Sequence, residues 1–288
     1  MFRLGAITDE LSLTFDGALS LATELGIQDV EIHTVGRKSV EDLSPDEIVE
    51  VGKKLQDHNL KVCNISSTMF LRCHLVDDPQ PIEWRTPFRS ISGSYTDHLD
   101  KLARCLEIAS RWQSPYVRVF GFWQEGPLTD EVLDKASDRM QKPVDMAKAA
   151  GIPLVLENCP HTYFDWGARA VKLVKRMNSP WFGFLWDPCA GIRNGEVDIM
   201  APFEDIQPVL RHVHAKDMVF EPGSKHGHSY VPVGQGVLGW QKVVNRLAAG
   251  GYEGVVCIET HHLAADGSKE TAARATWQGL SDLVKNIR

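Results

Sequence analysis

The sequence predicts a (β/α)₈ barrel, read as a single domain over residues 1–288. Three observations support this. Apolar, strand-like runs alternate with amphipathic stretches along the whole chain. Eight such pairs can be traced, about 36 residues each, a little above the ~31 of a typical 250-residue barrel. Four consecutive apolar runs also end in a good metal ligand: Glu157 in PLVLENC, Asp187 in FGFLWDP, His214 in HVHAKD and Glu259 in VVCIETH, at intervals of 30, 27 and 45 residues. The competing architecture, an open doubly wound sheet, is disfavoured because no glycine-rich turn follows the first strand.

The elements follow in order. RLGAIT (3–8) reads as the first strand. FDGALSLATELG (15–26) has helical spacing and stops at a glycine. DVEIH (29–33) is the second strand, and PDEIVEVGKKLQDHN (45–59) is a helix opened by proline. LKVCNISS (60–67) is the third strand. A polar, irregular stretch leads to a helix at 95–112, and YVRVFGF (116–122) is the fourth strand. Helix 128–150 precedes the fifth strand, IPLVLEN, and helix 166–178 precedes the sixth, WFGFLWD. A helical piece at 198–210 precedes the seventh, RHVHAKD. Helix 239–250 precedes the eighth, GVVCIET, and a last helix spans 269–287. The surplus length lies in two loops, 67–92 and 217–237, on the face where such barrels place their sites.

Bulk properties narrow the function. The chain is 43% apolar and 24% charged, ordinary for a soluble globular protein. A net charge of −7 without a basic run of five or more residues speaks against a nucleic-acid partner. No cationic stretch followed by a long apolar one opens the sequence, and no uncharged apolar run reaches the ~18–20 residues needed to span a bilayer. The expectation is a cytoplasmic protein with no membrane association. Six cysteines, at 63, 73, 105, 159, 189 and 257, include no CxxC pair and are expected as free, packed thiols. Cys159 and Cys189 lie just beyond two of the strand-end residues.

In a (β/α)₈ barrel the carboxyl ends of the strands converge on one mouth. Two glutamates, an aspartate and an imidazole there would suit one divalent ion: Mn²⁺, Mg²⁺, Co²⁺ or Zn²⁺. Three carboxylates around such an ion leave about one negative charge, which favours a neutral polyol or keto-sugar over a phosphate-rich ligand. Each residue also has a plainer explanation. Asp187 is a good helix N-cap, and His214 alone can be a satisfied core histidine. His212 shares its face one layer deeper, and His214 is preferred as nearer the mouth. Glu157 and Glu259 are poor caps inside apolar runs. Burying either unpaired would cost several kcal/mol, so each demands a metal or a salt bridge.

The ordered motifs LVLEN, WDP…G, HVHAKD, VPVGQG and CIETH resemble the xylose isomerase-like TIM-barrel superfamily. That group includes sugar-phosphate isomerases and epimerases, tagatose and psicose 3-epimerases, hydroxypyruvate isomerase and inosose dehydratase. The likeness covers nearly the whole chain and is strongest from about residue 150 to 262. It implies that Glu157, Asp187, His214 and Glu259 bind one divalent metal, and that Glu157 and Glu259 are the catalytic acid/base pair. The implied activity is isomerisation or epimerisation of a small sugar or polyol through an enediolate. The alternative is a metal-dependent dehydratase (lyase) of a cyclic keto-polyol such as inosose or dehydroshikimate. An endonuclease-four-type repair enzyme and a non-catalytic barrel are remoter readings. Sugar epimerases of the group often carry histidine three residues after the metal aspartate. Here that position is Ala190, which argues against importing a ketohexose 3-epimerase activity. Such barrels are often dimers or tetramers.

The expected substrate-binding residues are Lys216, Asp217, Arg118, His228, Trp123 and Phe70. Lys216 would orient a substrate oxygen. Asp217 would support the His214 ring or cap the following turn. Arg118, a charge inside an apolar strand, would pair with a carboxylate such as Glu31 or bind an anionic group, and Glu31 is itself a candidate substrate contact. His226 and His228 form an HxH pair in a solvated loop. Phe70, Trp123 and Trp186 would offer aromatic walls or core packing. Loop 67–92, with Arg72, His74, Arg85 and Arg89, would act as a lid. Gly234 and Gly236 would serve backbone turns.

Overall fold

The computed structural model describes residues 1–76, 81–83 and 88–287. Eight parallel strands close into a barrel: β1 (Arg3–Ile7), β2 (Asp29–Ile32), β3 (Lys61–Met69), β4 (Val117–Val119), β5 (Leu154–Glu157), β6 (Phe182–Trp186), β7 (Leu210–Ala215) and β8 (Val255–Ile258). Each pairs with its sequence neighbour, and β8 closes on β1, with Arg3 opposite Val255 and Ala6 opposite Ile258. The strands are buried on both faces, which is why they read as continuous apolar runs rather than alternating ones. All five residues of β6 are buried.

Among the described residues eight helices ring the barrel: α1 (Phe15–Leu25), α2 (Pro45–Asp57), α3 (Tyr95–Arg111), α4 (Asp130–Ala150), α5 (Gly167–Met177), α6 (Phe203–Ile206), α7 (Trp240–Ala249) and α8 (Lys269–Lys285). Two short helices, Thr8–Leu11 and Pro188–Arg193, follow β1 and β6. Their limits are chemically marked. Ser44 and Glu47 form a capping box around Pro45 at the start of α2, and Ser94 and Asp97 do the same for α3. Gly26 and Gly151 end α1 and α4 in the left-handed conformation. No helix among the described residues is long and apolar enough to cross a membrane.

Four expectations are corrected. The helix expected over 198–210 shrinks to α6 and a 3-10 turn, Gln207–Val209. Pro202 and Pro208 withhold backbone donors there, which limits a continuous helix. The fourth strand stops at Val119. Phe122 has φ 65°, a left-handed conformation no strand accommodates. The third strand runs on to Met69 rather than stopping at 67. The segment 217–237 holds an antiparallel hairpin, Asp217–Phe220 against His228–Val231, instead of a loop without structure. Of the expected lid, Arg85 lies outside the described residues. Arg72 donates to the carbonyl of Ser90 at 3.4 Å, and His74 meets Glu125 at 3.0 Å.

Candidate metal and acid-base site

Glu157, Asp187, His214 and Glu259 meet at the carboxyl ends of β5 to β8, and all four are buried. Alternation along β7 puts His212, His214 and Lys216 on one face, stacked from the barrel interior to its mouth. The imidazole of His214 is central. Its Nε2 lies 3.0 and 3.2 Å from the two carboxylate oxygens of Glu31. Its Nδ1 lies 3.0 Å from Glu259 Oε2 and 3.4 Å from Glu157 Oε1. An ionised carboxylate only accepts, so Glu31 puts the proton of the neutral ring on Nε2 and leaves the Nδ1 lone pair facing the two glutamates.

Each carboxylate has its own holder. Glu157 Oε2 accepts from Arg118 Nη1 at 2.9 Å. Arg118 also donates to the carbonyls of Ser67 at 3.0 Å and Ser66 at 2.9 Å, and its guanidinium lies 4.8 Å from the Phe120 ring centre. Asp187 divides its oxygens. Oδ1 accepts from the amide of Ala190 at 3.0 Å as an N-cap, and Oδ2 lies 2.8 Å from Lys216 Nζ. The same ammonium is 2.6 Å from Glu259 Oε2, while Glu259 Oε1 meets His261 Nε2 at 3.0 Å. His261 is anchored in turn by Glu10, which accepts from its amide at 3.0 Å and lies 3.2 Å from its Nδ1.

Burial opposes ionisation throughout this cluster, and the partners decide the outcome. Burial pushes the Glu259 carboxyl up, but Lys216, His261 and His214 outweigh it and hold it well below its ordinary value. Glu157 is lowered in the same way, against burial, by Arg118 and His214. For Asp187 burial prevails over Lys216, and its carboxyl is raised. Lys216 is held well above its usual value, despite burial, by Asp187 and Glu259. His261 is raised to about 9, against burial, chiefly by Glu259.

The donor set fits a divalent ion. His214 Nδ1 and Glu259 Oε2 are buried and have no aligned hydrogen-bond partner, although ion-pair distances surround them. Glu157, His214 and Glu259 each offer a ligand atom within 4.8 Å of one another. The fourth expected ligand, Asp187, joins this trio through the Lys216 ammonium. Among the described residues, the permanent cations paired within the buried carboxylate set Glu31, Glu157, Asp187 and Glu259 are Arg118 and Lys216. Arg118 and Lys216 leave about two negative charges unmatched. Without an ion, His261 and the His214 ring, which despite burial is held well above its ordinary value by Glu31, Glu157 and Glu259, meet them as imidazoliums. A divalent ion would take the place of the His214 proton on Nδ1. The sequence-based balance, about one negative charge left after the ion is counted, omitted Glu31 and both cations.

Several expected substrate contacts sit elsewhere. Arg118 is 2% exposed and pairs with Glu157, not with Glu31, so it faces no ligand space. Glu31 is fully buried and is spent on His212, His214 and Asn64. Of the two roles expected for Asp217, it takes the backbone one rather than support of the His214 ring, accepting from the amides of Met218, Gly234, Gly236 and Leu238. Gly236 is needed there because a Cβ would collide with that carboxylate. Phe70 is fully buried at φ 66°, packed on His98 and Phe122, so its ring belongs to the core. Trp186 is likewise fully buried. Trp123 stacks on His161 with ring centres 5.6 Å apart. His228 bonds the carbonyl of His226 and packs on Tyr230, whose ring lies 5.2 Å from both His228 and His261.

The sequence reading missed Glu10, Asn64, Tyr230 and His261. His261 had a legible signal, since it follows Glu259 by two residues at a strand end. Glu10 had none, because its partner is 251 positions away.

The profile of the xylose isomerase-like TIM-barrel family matches residues 19–280. Among similar curated proteins is the L-ribulose-5-phosphate 3-epimerase UlaE of Salmonella heidelberg, 23% identical over 266 residues, 89% of this chain and 86% of that protein. For the protein of the same name in Salmonella paratyphi A, the match is 25% identical over 146 residues. It spans 51% of this chain and about half, 49%, of the relative. A solved structure of the IOLI protein with a bound zinc atom superposes with a TM-score of 0.75 at 16% identity, covering 100% of this chain and 99% of that one. The probable 3-DHS dehydratase AsbF of Bacillus anthracis gives 0.73 at 16% identity, covering 97% and 99%. At these identities the structural likeness is one of fold.

Proposed function

The chain belongs to the xylose isomerase-like TIM-barrel family, and from that premise we propose that it is an isomerase or epimerase of a small sugar or polyol. Glu157 and Glu259 form the acid/base pair, and Glu157, Asp187, His214 and Glu259 hold one divalent cation. One observation carries this reading. Two buried carboxylates stand 3.4 and 3.0 Å from an imidazole nitrogen that has no aligned partner.

A divalent ion, when bound, supplies Lewis-acid polarisation of a substrate carbonyl. The protein's own groups do the rest. Glu31 sets the tautomer and orientation of His214. Arg118 keeps Glu157 ionised, and Lys216 and His261 keep Glu259 ionised, so either carboxylate is ready to accept a proton from the carbon beside a carbonyl. The protonated carboxyl, or its partner, then returns a proton. Return to the opposite face of the same carbon epimerises it, and return to the neighbouring carbon isomerises. Lys216 places a fixed cation beside the carboxylates, where negative charge gathering on a substrate oxygen is stabilised.

The test is isotope exchange. Incubation of the metal-loaded protein in D₂O with ketopentoses, ketohexoses and their phosphates is expected to return substrate or product carrying deuterium next to the carbonyl. Glu157→Gln is expected to lower that exchange by about 10²–10⁴-fold, the usual worth of a positioned acid or base. Undiminished exchange in that variant would exclude Glu157 as the acid/base. An enone chromophore from a cyclic keto-polyol, with no exchange into any ketose, would replace the proposal with the dehydratase reading.

A further inference from the structure

Glu31 bonds two histidines, and only one of them serves the mouth of the barrel. Its carboxylate lies 3.0 Å from Nε2 of His214 and 2.8 Å from Nε2 of His212. Each ring therefore turns its Nδ1 away from Glu31. That of His214 faces the glutamates. That of His212 is buried with no hydrogen-bond partner, and the His212 ring brings a nitrogen within 4.8 Å of the Sγ atoms of Cys63 and Cys257, which lie as close to each other. Buried polar atoms without partners are rare and demand an explanation. Packing accounts for two buried thiols, but not for an unpartnered imidazole nitrogen on a ring beside them.

We propose that Cys63, Cys257 and His212 form a second metal site in the barrel interior, below the mouth, for a thiophilic divalent cation of the zinc class. The two sulfurs come from β3 and β8, strands separated in the wall by β1 and β2. They meet because Gly5 of β1 carries no side chain, and a Cβ there would stand 2.8 Å from Cys257 Sγ. The sulfurs are 3.6 Å apart. With metal–sulfur bonds of about 2.3 Å, that separation subtends about 103° at the ion, near the tetrahedral angle zinc adopts. Glu31 on the remote nitrogen of His212 completes the carboxylate–histidine–metal relay typical of such ligands.

The donor chemistry separates the two sites. Oxygen-rich ligation at the mouth admits hard and borderline ions, whereas two thiolates and an imidazole select soft or borderline ones. Binding releases the two thiol protons to solvent, and the two thiolates neutralise the ion's charge. Surface cavities of about 520 and 420 Å³, both lined by Cys63, Arg3 and Pro115, bring solvent space up to Cys63 at the amino-terminal face of the barrel. The site stands apart from the proposed reaction at the mouth and can fail or succeed without it.

Cobalt uptake tests the proposal. The full chain is stripped with a chelator under reducing conditions and reloaded with Co²⁺. Wild type is expected to show a sulfur-to-cobalt charge-transfer band and to bind one equivalent more than the Cys63→Ser/Cys257→Ser variant, which loses the band. Glu157→Gln, which alters only the mouth, is expected to keep it. Should the double variant fail to fold, the wild type still decides: Zn²⁺ must protect Cys63 and Cys257 from alkylation. A wild-type spectrum without the band, no zinc protection, or a Cys63–Cys257 disulfide that persists in the reduced protein would each overturn the proposal.

Discussion

Strands β5 to β8 bring Glu157, Asp187, His214, Lys216 and Glu259 to the mouth, whereas the first half of the barrel brings Glu10, Glu31, Asn64 and Arg118, which hold those groups or their neighbours. The difference lies in what each set faces. Ligands and proton carriers must present atoms to a shared space. Their holders are spent entirely on protein partners, as Arg118 is on Glu157 and two carbonyls. On the proposed reading, the groups at the mouth thus depend on residues from the other half of the barrel that are spent on protein partners. Substitutions in the first half should therefore register in stability and ion affinity before chemistry.

The sharpest way to break that contrast is Arg118→Met. Removing one partner of a buried ion pair leaves Glu157 uncompensated, and a loss of about 3–5 kcal/mol in urea unfolding is expected. A loss below about 1 kcal/mol would mean that the pair is dispensable and that Arg118 is no holder.

Glu31→Gln should act next most strongly. It keeps the shape but weakens the grip on His214, and affinity for a divalent ion at the mouth should fall by about 10–100-fold in a chelator competition. Unchanged affinity would place Glu31 outside the ion's support.

The smallest effect concerns a first-half residue outside the proposed ion site. His98 is fully buried, and its Nδ1 accepts from the amide of Phe70. Burial drops its pKa to about 4 from 6.5, so the unfolded chain binds the proton more readily. The stability this neutral ring supports is fully present above pH 6.5 and is lost as pH falls toward 4. Urea unfolding at pH 5 against pH 7 should show wild type losing about 2 kcal/mol more than a His98→Asn variant. Equal losses in the two proteins would remove His98 from the acid response.

Legibility in the sequence followed locality. Glu157 and Glu259 stood out because a carboxylate inside an apolar run has no cheap local explanation. Asp187 was ambiguous in sequence and divides its roles in the structure, one oxygen capping a helix and the other meeting Lys216. Phe70 was misread as a wall because its left-handed backbone, which turns the ring into the core, leaves no trace in residue order. Arg118 does pair with a buried carboxylate, but with Glu157 rather than Glu31, the example offered from the sequence. Its charge and burial were legible, but the choice between Glu31 and Glu157 was not. Cys63 and Cys257, 194 positions apart, offered no motif at all.

By itself the sequence determined the alternation of strands and helices and the set of strand-end groups, since periodicity and capping act over a few residues. Only the tertiary structure decided which carboxylate meets which cation, which nitrogen of each histidine stays free and which thiols touch. Those outcomes depend on how barrel closure staggers distant strands, bringing His212 within 2.8 Å of Glu31 across 181 positions.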